Sequence, residues 1–243
     1  MKALILAAGR GTRLRPITDT IPKCLVDLAD KPLLEYHLDR LDKYGVRDVC
    51  VNTHYLPEQV RKFFGKYTEK NSKMKIRESY ERELLGSAGA LRNNWDFFKG
   101  EENFYVIYGD NLTNINYKQL LDFHLLKGGI CSIACYIEPN PGSKGVVVFD
   151  KEKRLSRFVE KPAKDQNVGN YANAGIYVLN KRIFNYLREN NGLPYDFGRD
   201  LFPKLLQNNE PMYAYLMSEF LLDIGSLETY RLAQSLIGKI NFN

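Results

Sequence analysis

The chain has 243 residues, 44% of them apolar, with 16 Tyr, 13 Phe and a formal net charge of +6. This composition supports a sizeable core of one large α/β domain and excludes disorder as the main state. The basic residues are spread along the sequence and interleaved with 29 acidic ones. That argues against nucleic-acid binding, which gathers Lys and Arg on one face, and is compatible with a pocket for phosphates.

No apolar run approaches the roughly 18 residues of a membrane span, and Met1 to Leu6 runs into Gly9 and Arg10 too soon for a signal segment. The cysteines are Cys24, Cys50, Cys131 and Cys135, with no C-x-x-C pair. Cys131 and Cys135 fall in one expected strand, about 13 Å apart along it, too far for a disulfide. All four read as small core residues of a reduced, cytoplasmic protein.

In chain order, residues 3–8 read as a short buried strand, followed by the loop Gly9-Arg10-Gly11-Thr12-Arg13. Leu34, Leu38 and Leu41 recur at helical spacing, and Gly45 stands where a helix C′ glycine belongs. Asp48 to Thr53 reads as a strand, Glu58 to Tyr67 as an amphipathic helix after Pro57, and Phe104 to Tyr108 as a strand ending at Gly109-Asp110-Asn111. A helix is expected across Leu120 to Leu126, then strands at Cys131 to Ile137, Val146 to Phe149, Leu155 to Val159 and Ile176 to Leu179. Helices near Lys181 to Glu189 and Arg199 to Gln207, a strand at Met212 to Leu216 and a helix capped by Ser226 complete the pattern.

Alternation of strand and helix in the first half, with more strand and hairpin signal in the second, predicts an α/β fold. The expected architecture is a Rossmann-like, doubly wound, mostly parallel mixed central sheet with helices on both faces. One domain is expected over 1–243. No hexapeptide repeat follows residue 225, so no C-terminal β-helix is expected.

In such sheets ligands bind beyond the carboxyl ends of the strands. Leu6-Ala7-Ala8-Gly9-Arg10-Gly11-Thr12-Arg13-Leu14 lies there. Glycines let backbone N–H groups approach an anion, and Arg13 adds a fork suited to phosphate. The loop lacks the G-K-[ST] of a P-loop and the third glycine of a dinucleotide fingerprint. Pro22-Lys23 follows, which alone reads as a loop with a surface charge. His37, His54 and His124 have no metal-ligand spacing and read as surface or packing residues.

Together these segments, Leu6 through Thr18 and then Pro22-Lys23, resemble the signature of the sugar-1-phosphate nucleotidyltransferases: L-A-x-G-x-G-T-R-L-x-P-[LI]-T, a short gap, then P-K. The resemblance covers essentially the whole chain. Gly86-Ser87-Ala88-Gly89-Ala90-Leu91 looks like the family's base loop, and Gly109-Asp110-Asn111 like its metal-binding turn. Lys144-Gly145-Val146-Val147 and Phe158-Val159-Glu160-Lys161-Pro162 look like its sugar-site segments, and Asn173-Ala174-Gly175-Ile176-Tyr177 and Asp223-Ile224-Gly225 complete the set in the expected order, which implies a nucleotide-binding part at about 1–115 and a sugar-binding part at about 116–243.

The resemblance implies that Arg13 and Lys23 are catalytic, and that Leu6, Ala7, Ala8, Gly9, Gly11, Thr12, Gly86 and Asp110 bind the nucleotide. It implies sugar-phosphate binding by Gly145, Glu160, Lys161 and Asn173, and Mg²⁺ held by Asp110 and Asp223. The implied partners are a nucleoside triphosphate and a sugar 1-phosphate, with no nucleic acid and no membrane; a homo-oligomer is compatible with the sequence. The sugar segments look closest to those of mannose-1-phosphate guanylyltransferases, with heptose-1-phosphate guanylyltransferases near relatives and thymidylyl- or uridylyltransferases the alternative. A regulatory relative without chemistry would lack Arg13, Lys23, Asp110 or Asp223, and all four are present.

Overall fold

The computed structural model describes residues 1–71, 73–163, 166, 168–188 and 194–242. In chain order the first elements are β1 (Lys2–Leu6), β2 (Asp27–Leu28), β3 (Lys31–Pro32), α1 (Leu33–Lys43), β4 (Asp48–Thr53), α2 (Pro57–Lys70) and β5 (Lys75–Tyr80). Then come α3 (Ser87–Asn93), β6 (Asn103–Tyr108), β7 (Asn111–Thr113), α4 (Tyr117–Lys127), β8 (Cys131–Ile137), β9 (Gly145–Phe149), β10 (Leu155–Glu160) and β11 (Tyr171–Asn180). The last are α5 (Ile183–Arg188), a π-helical turn at Phe197–Leu201, α6 (Phe202–Gln207), β12 (Met212–Leu216), β13 (Leu221–Asp223) and α7 (Leu227–Leu236). The Glu189 end expected for α5 lies outside the described residues.

The chain forms two compact units, neither continuous in sequence: 1–84 with 107–115 and 219–243, and 85–106 with 116–218. In the first unit β1 pairs parallel with β4, Leu6 opposite Asn52, and β4 pairs parallel with β5. Ala3, Leu4 and Ile5 are fully buried, as a strand covered on both faces requires. Helix α1 buries Leu33, Leu34, His37, Leu38 and Leu41, spacing that makes one apolar face. Gly45 follows at φ 74°, the left-handed position expected after a helix. Pro57 opens α2 at a position that needs no N–H, and Ser226 caps α7 in a capping box with Thr229.

One cluster of this unit decides where the site forms. Leu14, Val26, Leu28, Leu33, Leu112, Ile224 and Ala233 pack together, nearly all without exposure. Leu14 follows Arg13, Leu112 lies two residues after Asp110, and Ile224 follows Asp223. Arg13, Asp110 and Asp223, candidate site residues from the sequence, are thus each anchored by a close neighbour in the core, each anchor stabilising the fold by about 1.5–3 kcal/mol.

The second unit carries antiparallel ladders β10–β9, β9–β11 and β11–β8, with β12 parallel to β8. Its core is aromatic near β10 and β11: the rings of Tyr177, Phe197 and Phe202 pack in tilted and edge-to-face pairs with centroids 5.2–5.5 Å apart, and that of Phe158 lies 5.1 Å from Phe202. His124 is buried with Ser132 and Asn103 at its two ring nitrogens, a packing role; burial brings its pKa down to about 4. The four cysteines are free and buried. The Rossmann-like expectation of a mixed sheet with helices is met. Among the described residues no helix is long and apolar enough to cross a membrane.

Candidate active site

In the first unit the loop after β1 is set from below. The Leu6 carbonyl accepts a bond from the Gly109 N–H at 2.9 Å. A Cβ on Gly109 would stand 2.9 Å from Ile5 Cγ2 and 3.1 Å from the Leu6 oxygen, so only glycine lets the turn that carries Asp110 approach β1. Ala7 donates its N–H to Asn52 Oδ1 at 2.6 Å, and Asn52 in turn donates to Glu81 Oε1 at 2.8 Å. Both supporting side chains are buried. Ala8 is buried, whereas Gly9, Thr12 and Arg13 are exposed at the lip of the loop.

The two loop glycines differ in kind. Gly11 has φ 65°, and a Cβ there would meet Thr18 Cγ2 at 2.9 Å and Lys23 Cβ at 3.1 Å. It is needed by the fold, and the Thr18 hydroxyl fixes its carbonyl at 2.7 Å. A Cβ at Gly9 would meet nothing within 4 Å. The packing around Gly9 therefore does not itself demand a glycine.

Lys23 opens a short 3₁₀ turn, Lys23–Leu25, and its Nζ donates to Asp110 Oδ2 at 2.6 Å. The Lys23 side chain is 12% exposed and that of Asp110 35%, so the pair is partly withdrawn from water. Asp110 leads into β7, which pairs antiparallel with β13 so that Asp223 faces Asn111, and the Ile224 N–H donates to the Asp110 carbonyl at 2.8 Å. A Cβ on Gly225 would stand 2.9 and 3.2 Å from the Asp223 carboxylate oxygens and 3.0 Å from Arg13 Nη2. Arg13 and Asp223 therefore border one spot that a side chain at 225 would fill.

His37, on α1, is hydrogen-bonded to the Asn111 main chain; burial brings its pKa down to about 4 against the opposing pull of Asp110. It packs behind the turn as a neutral ring, as its lack of metal-ligand spacing suggested. Among the described residues no three His, Cys, Asp or Glu side chains converge as a metal cluster. Asp110 immediately precedes β7 and Asp223 ends β13, and carboxylate oxygens are the donors a hard cation such as Mg²⁺ prefers.

The second unit holds the other predicted residues. The Glu160 carboxylate lies in a slot between two glycines: a Cβ would stand 2.9 Å from its Oε2 at Gly145 and 2.6 Å at Gly198. Burial raises the Glu160 pKa above the ordinary value, Lys161 opposes this, Asp196 adds to it and Arg199 opposes it. Lys161 has φ 49°, and its N–H donates to the Lys144 carbonyl at 3.0 Å. Asn173 sits where the β11–β8 register breaks; it donates to the Tyr177 hydroxyl at 2.8 Å and accepts from the Gly175 N–H at 2.9 Å.

Gly86, at φ 78° and ψ 164°, precedes α3. A Cβ there would strike the Tyr195 main chain at 2.5 Å. The Leu85 carbonyl accepts from the Tyr195 N–H and the Gly86 carbonyl from the Ala90 N–H, both at 2.9 Å. Sequence reading passed over Asn52, Glu81, Asp196 and Gly198. None of them sits in a motif, and each acts by supporting another residue.

Comparison with known proteins gives a consistent result. The family model described as nucleotidyl transferase matches residues 2–239. A UTP–glucose-1-phosphate uridylyltransferase of Synechocystis is 35% identical over 242 residues, covering 95% of this chain and 61% of that protein. A mannose-1-phosphate guanyltransferase of Saccharomyces cerevisiae is 35% identical over 228 residues, covering 93% and 61%. The chain thus spans about three fifths of the length of these relatives. Among solved structures, a putative glucose-1-phosphate thymidylyltransferase from Bacillus anthracis superposes with TM-score 0.88 at 23% identity, over 100% of this chain and 97% of that one. HddC from Yersinia pseudotuberculosis, in complex with GMP-PN, superposes with TM-score 0.77 at 26% identity, over 97% and 99%. The signature loop, the Lys23–Asp110 pair, the fold and the match over nearly the whole sequence agree: the chain belongs to the nucleotidyl transferase family.

Proposed function

We propose that the protein transfers a nucleotidyl group from a nucleoside triphosphate to a sugar 1-phosphate, giving a nucleotide sugar and pyrophosphate. The observation that carries this reading is the arrangement in the first unit: Lys23 on Asp110, Asp110 joined through its carbonyl to Ile224, and Asp223 beside Arg13 at Gly225. Two cations and two carboxylates next to a glycine loop suit a polyphosphate and a metal ion better than they suit proton transfer.

The chemistry asks for little else. The attacking sugar-phosphate oxygen is already anionic at neutral pH, since its second pKa is about 6, so no general base is needed. The protein must hold two polyanions together and offset charge growing on the α-phosphoryl group and the leaving pyrophosphate. In this reading Arg13 and the main chain of Leu6 to Thr12 hold the triphosphate, and Lys23 stabilises the α-phosphoryl charge. Glu160 accepts hydrogen bonds from sugar hydroxyls, Gly145 and Asn173 shape that end, and Lys161 balances the sugar phosphate. Asp110 and Asp223 are the residues that would hold Mg²⁺, which when bound screens phosphate charge.

The preferred pair in this reading is GTP with mannose 1-phosphate or a related manno-configured sugar phosphate. The 35% identity to the yeast protein named as a mannose-1-phosphate guanyltransferase supports it. The equal identity to the cyanobacterial uridylyltransferase supports UTP with glucose 1-phosphate as the second reading. Four free, buried cysteines fit a cytoplasmic setting. The test is pyrophosphate release with five nucleoside triphosphates against a panel of sugar 1-phosphates. Turnover with a manno-configured sugar and GTP above all others is expected. A preference for UTP or dTTP discards the guanylyl choice, and no release from any pair discards the reaction.

A further inference from the structure

The geometry points to Asp196 as a positioning residue that ties nucleotide choice to sugar binding, a role that rests on the reaction proposed above. Asp196 acts through Ser87. Its Oδ1 accepts from the Ser87 N–H at 3.0 Å and from the Ser87 hydroxyl at 3.1 Å, and the same hydroxyl accepts from the Phe197 N–H at 3.0 Å. One residue earlier, the Tyr195 carbonyl accepts from the N–H groups of Ala88 and Gly89, each at 2.9 Å, and the Tyr195 N–H donates to Leu85.

These bonds use up the first three N–H donors of α3, which a helix start otherwise offers to an anion. The loop 85–89 is thereby held as a rigid edge, with its donors turned inward onto 195–197. Such a loop discriminates bases by where its carbonyls and side chains stand, and Asp196 fixes where they stand.

The same strap reaches the sugar end. Gly198 lies two residues after Asp196 and abuts the Glu160 carboxylate so closely that a Cβ would stand 2.6 Å from Oε2. Asp196 itself is pinned: its N–H donates to Asp200 Oδ2 at 2.7 Å, and its Oδ2 pairs with Arg199. Burial opposes its ionisation, yet the Ser87 main-chain bond and Arg199 bring its pKa below the ordinary aspartate value. Segment 195–200 therefore contacts both the base loop and the carboxylate expected to read sugar hydroxyls. Displacement of one is felt at the other, because the intervening chain contains only Phe197, itself buried among Tyr177 and Phe202.

The experiment compares Asp196→Ala, Asp196→Asn and Ser87→Ala with the parent. Asn keeps an Oδ1 acceptor for Ser87 but puts an NH2 donor where Oδ2 pairs with Arg199, so it loses the charge and the Arg199 pair while retaining the Ser87 bonds. After the parent's best substrate pair is identified, kcat and KM are measured for that triphosphate, for the next best triphosphate and for the sugar phosphate. Asp196→Ala is expected to reduce the ratio of kcat/KM between the two triphosphates by about tenfold and to raise KM for the sugar phosphate. Asp196→Asn is expected to restore most of the triphosphate ratio, and Ser87→Ala to reproduce part of its loss.

Hydrogen exchange without substrate supplies the second readout: Asp196→Ala should speed exchange in residues 85–89 and also in 145–160. Exchange faster only in 85–89, or a changed triphosphate ratio with an unchanged sugar KM, overturns the coupling. A variant that melts lower but keeps both ratios overturns the positioning role. A parent inactive with every pair removes the proposed reaction, while the exchange pattern still decides whether the strap joins the two segments.

Discussion

The Lys23 ammonium lies 2.6 Å from Oδ2 of Asp110, with only 12% of its side chain exposed. A lysine held this way is already in place and partly desolvated before any phosphate arrives, so less side-chain freedom is lost when charge develops beside it. Lys23→Ala should lower kcat by roughly 10²-fold or more. Circular dichroism and a melting curve should show the fold retained. Near-normal turnover in a folded variant removes Lys23 from the mechanism.

The carboxylate pair makes a second expectation. Asp110→Asn and Asp223→Asn should each cripple turnover, and the double variant should be little worse than either, because residues that act as one unit are not additive. Activity should vanish in chelator and return with added Mg²⁺. Binding of Mg²⁺ with nucleotide, followed by calorimetry, should weaken in both single variants. Independent, multiplicative losses would place the two aspartates in separate roles.

Glu160 gives a pH dependence whose sign is fixed. Its pKa is raised in the folded protein, by burial first. Folding therefore favours the protonated form. The stability this contributes is complete below the ordinary glutamate value of about 4.3 and is lost as pH rises through the higher folded value. At neutral pH the ionised group weighs against the fold. Glu160→Gln should raise Tm at pH 7, and the gain should shrink below about pH 4.3. The same variant should lose kcat/KM for the sugar phosphate with little change in triphosphate affinity. A lower Tm at pH 7, or equal damage to triphosphate binding, contradicts this account.

Two glycines should respond in opposite ways. Gly86→Ala places a side chain in a backbone region costing about 1–3 kcal/mol. It also drives a Cβ against the Tyr195 main chain, for which overpacking adds roughly 1–3 kcal/mol. Its urea midpoint should fall markedly. Gly9→Ala meets nothing within 4 Å and should leave the midpoint unchanged while raising KM for the triphosphate. If Gly9→Ala unfolds the protein instead, its glycine serves the fold and not the ligand.

The candidate residues that the first unit brings together were readable in the sequence because they fall in dense motifs: Leu6 to Thr18, Pro22-Lys23, Gly109-Asp110-Asn111. Helix starts at Pro57 and Ser226 and the Gly45 stop were equally legible, since each follows from a local backbone need. The pairing of β7 with β13 was not. Both are only three residues long, too short for any periodicity, and their partners are distant in sequence. The strap at 195–200 was hidden for another reason. A π-helical turn followed directly by α6 reads as one helical stretch, and the importance of Asp196 comes from accepting bonds, which leaves no spacing to detect.

The return of β13 to the first unit also orders events during synthesis. The ribosome delivers the glycine loop, Arg13 and Lys23 first, Asp110 next, and Asp223 only after residues 116–218 of the second unit have been made. Until then Leu112 has no β13 beside it and Ile224 has not joined the cluster that anchors the turn. A nascent chain that ends before residue 221 therefore carries Arg13, Lys23 and Asp110 but lacks both Asp223 and the strand that pairs with β7.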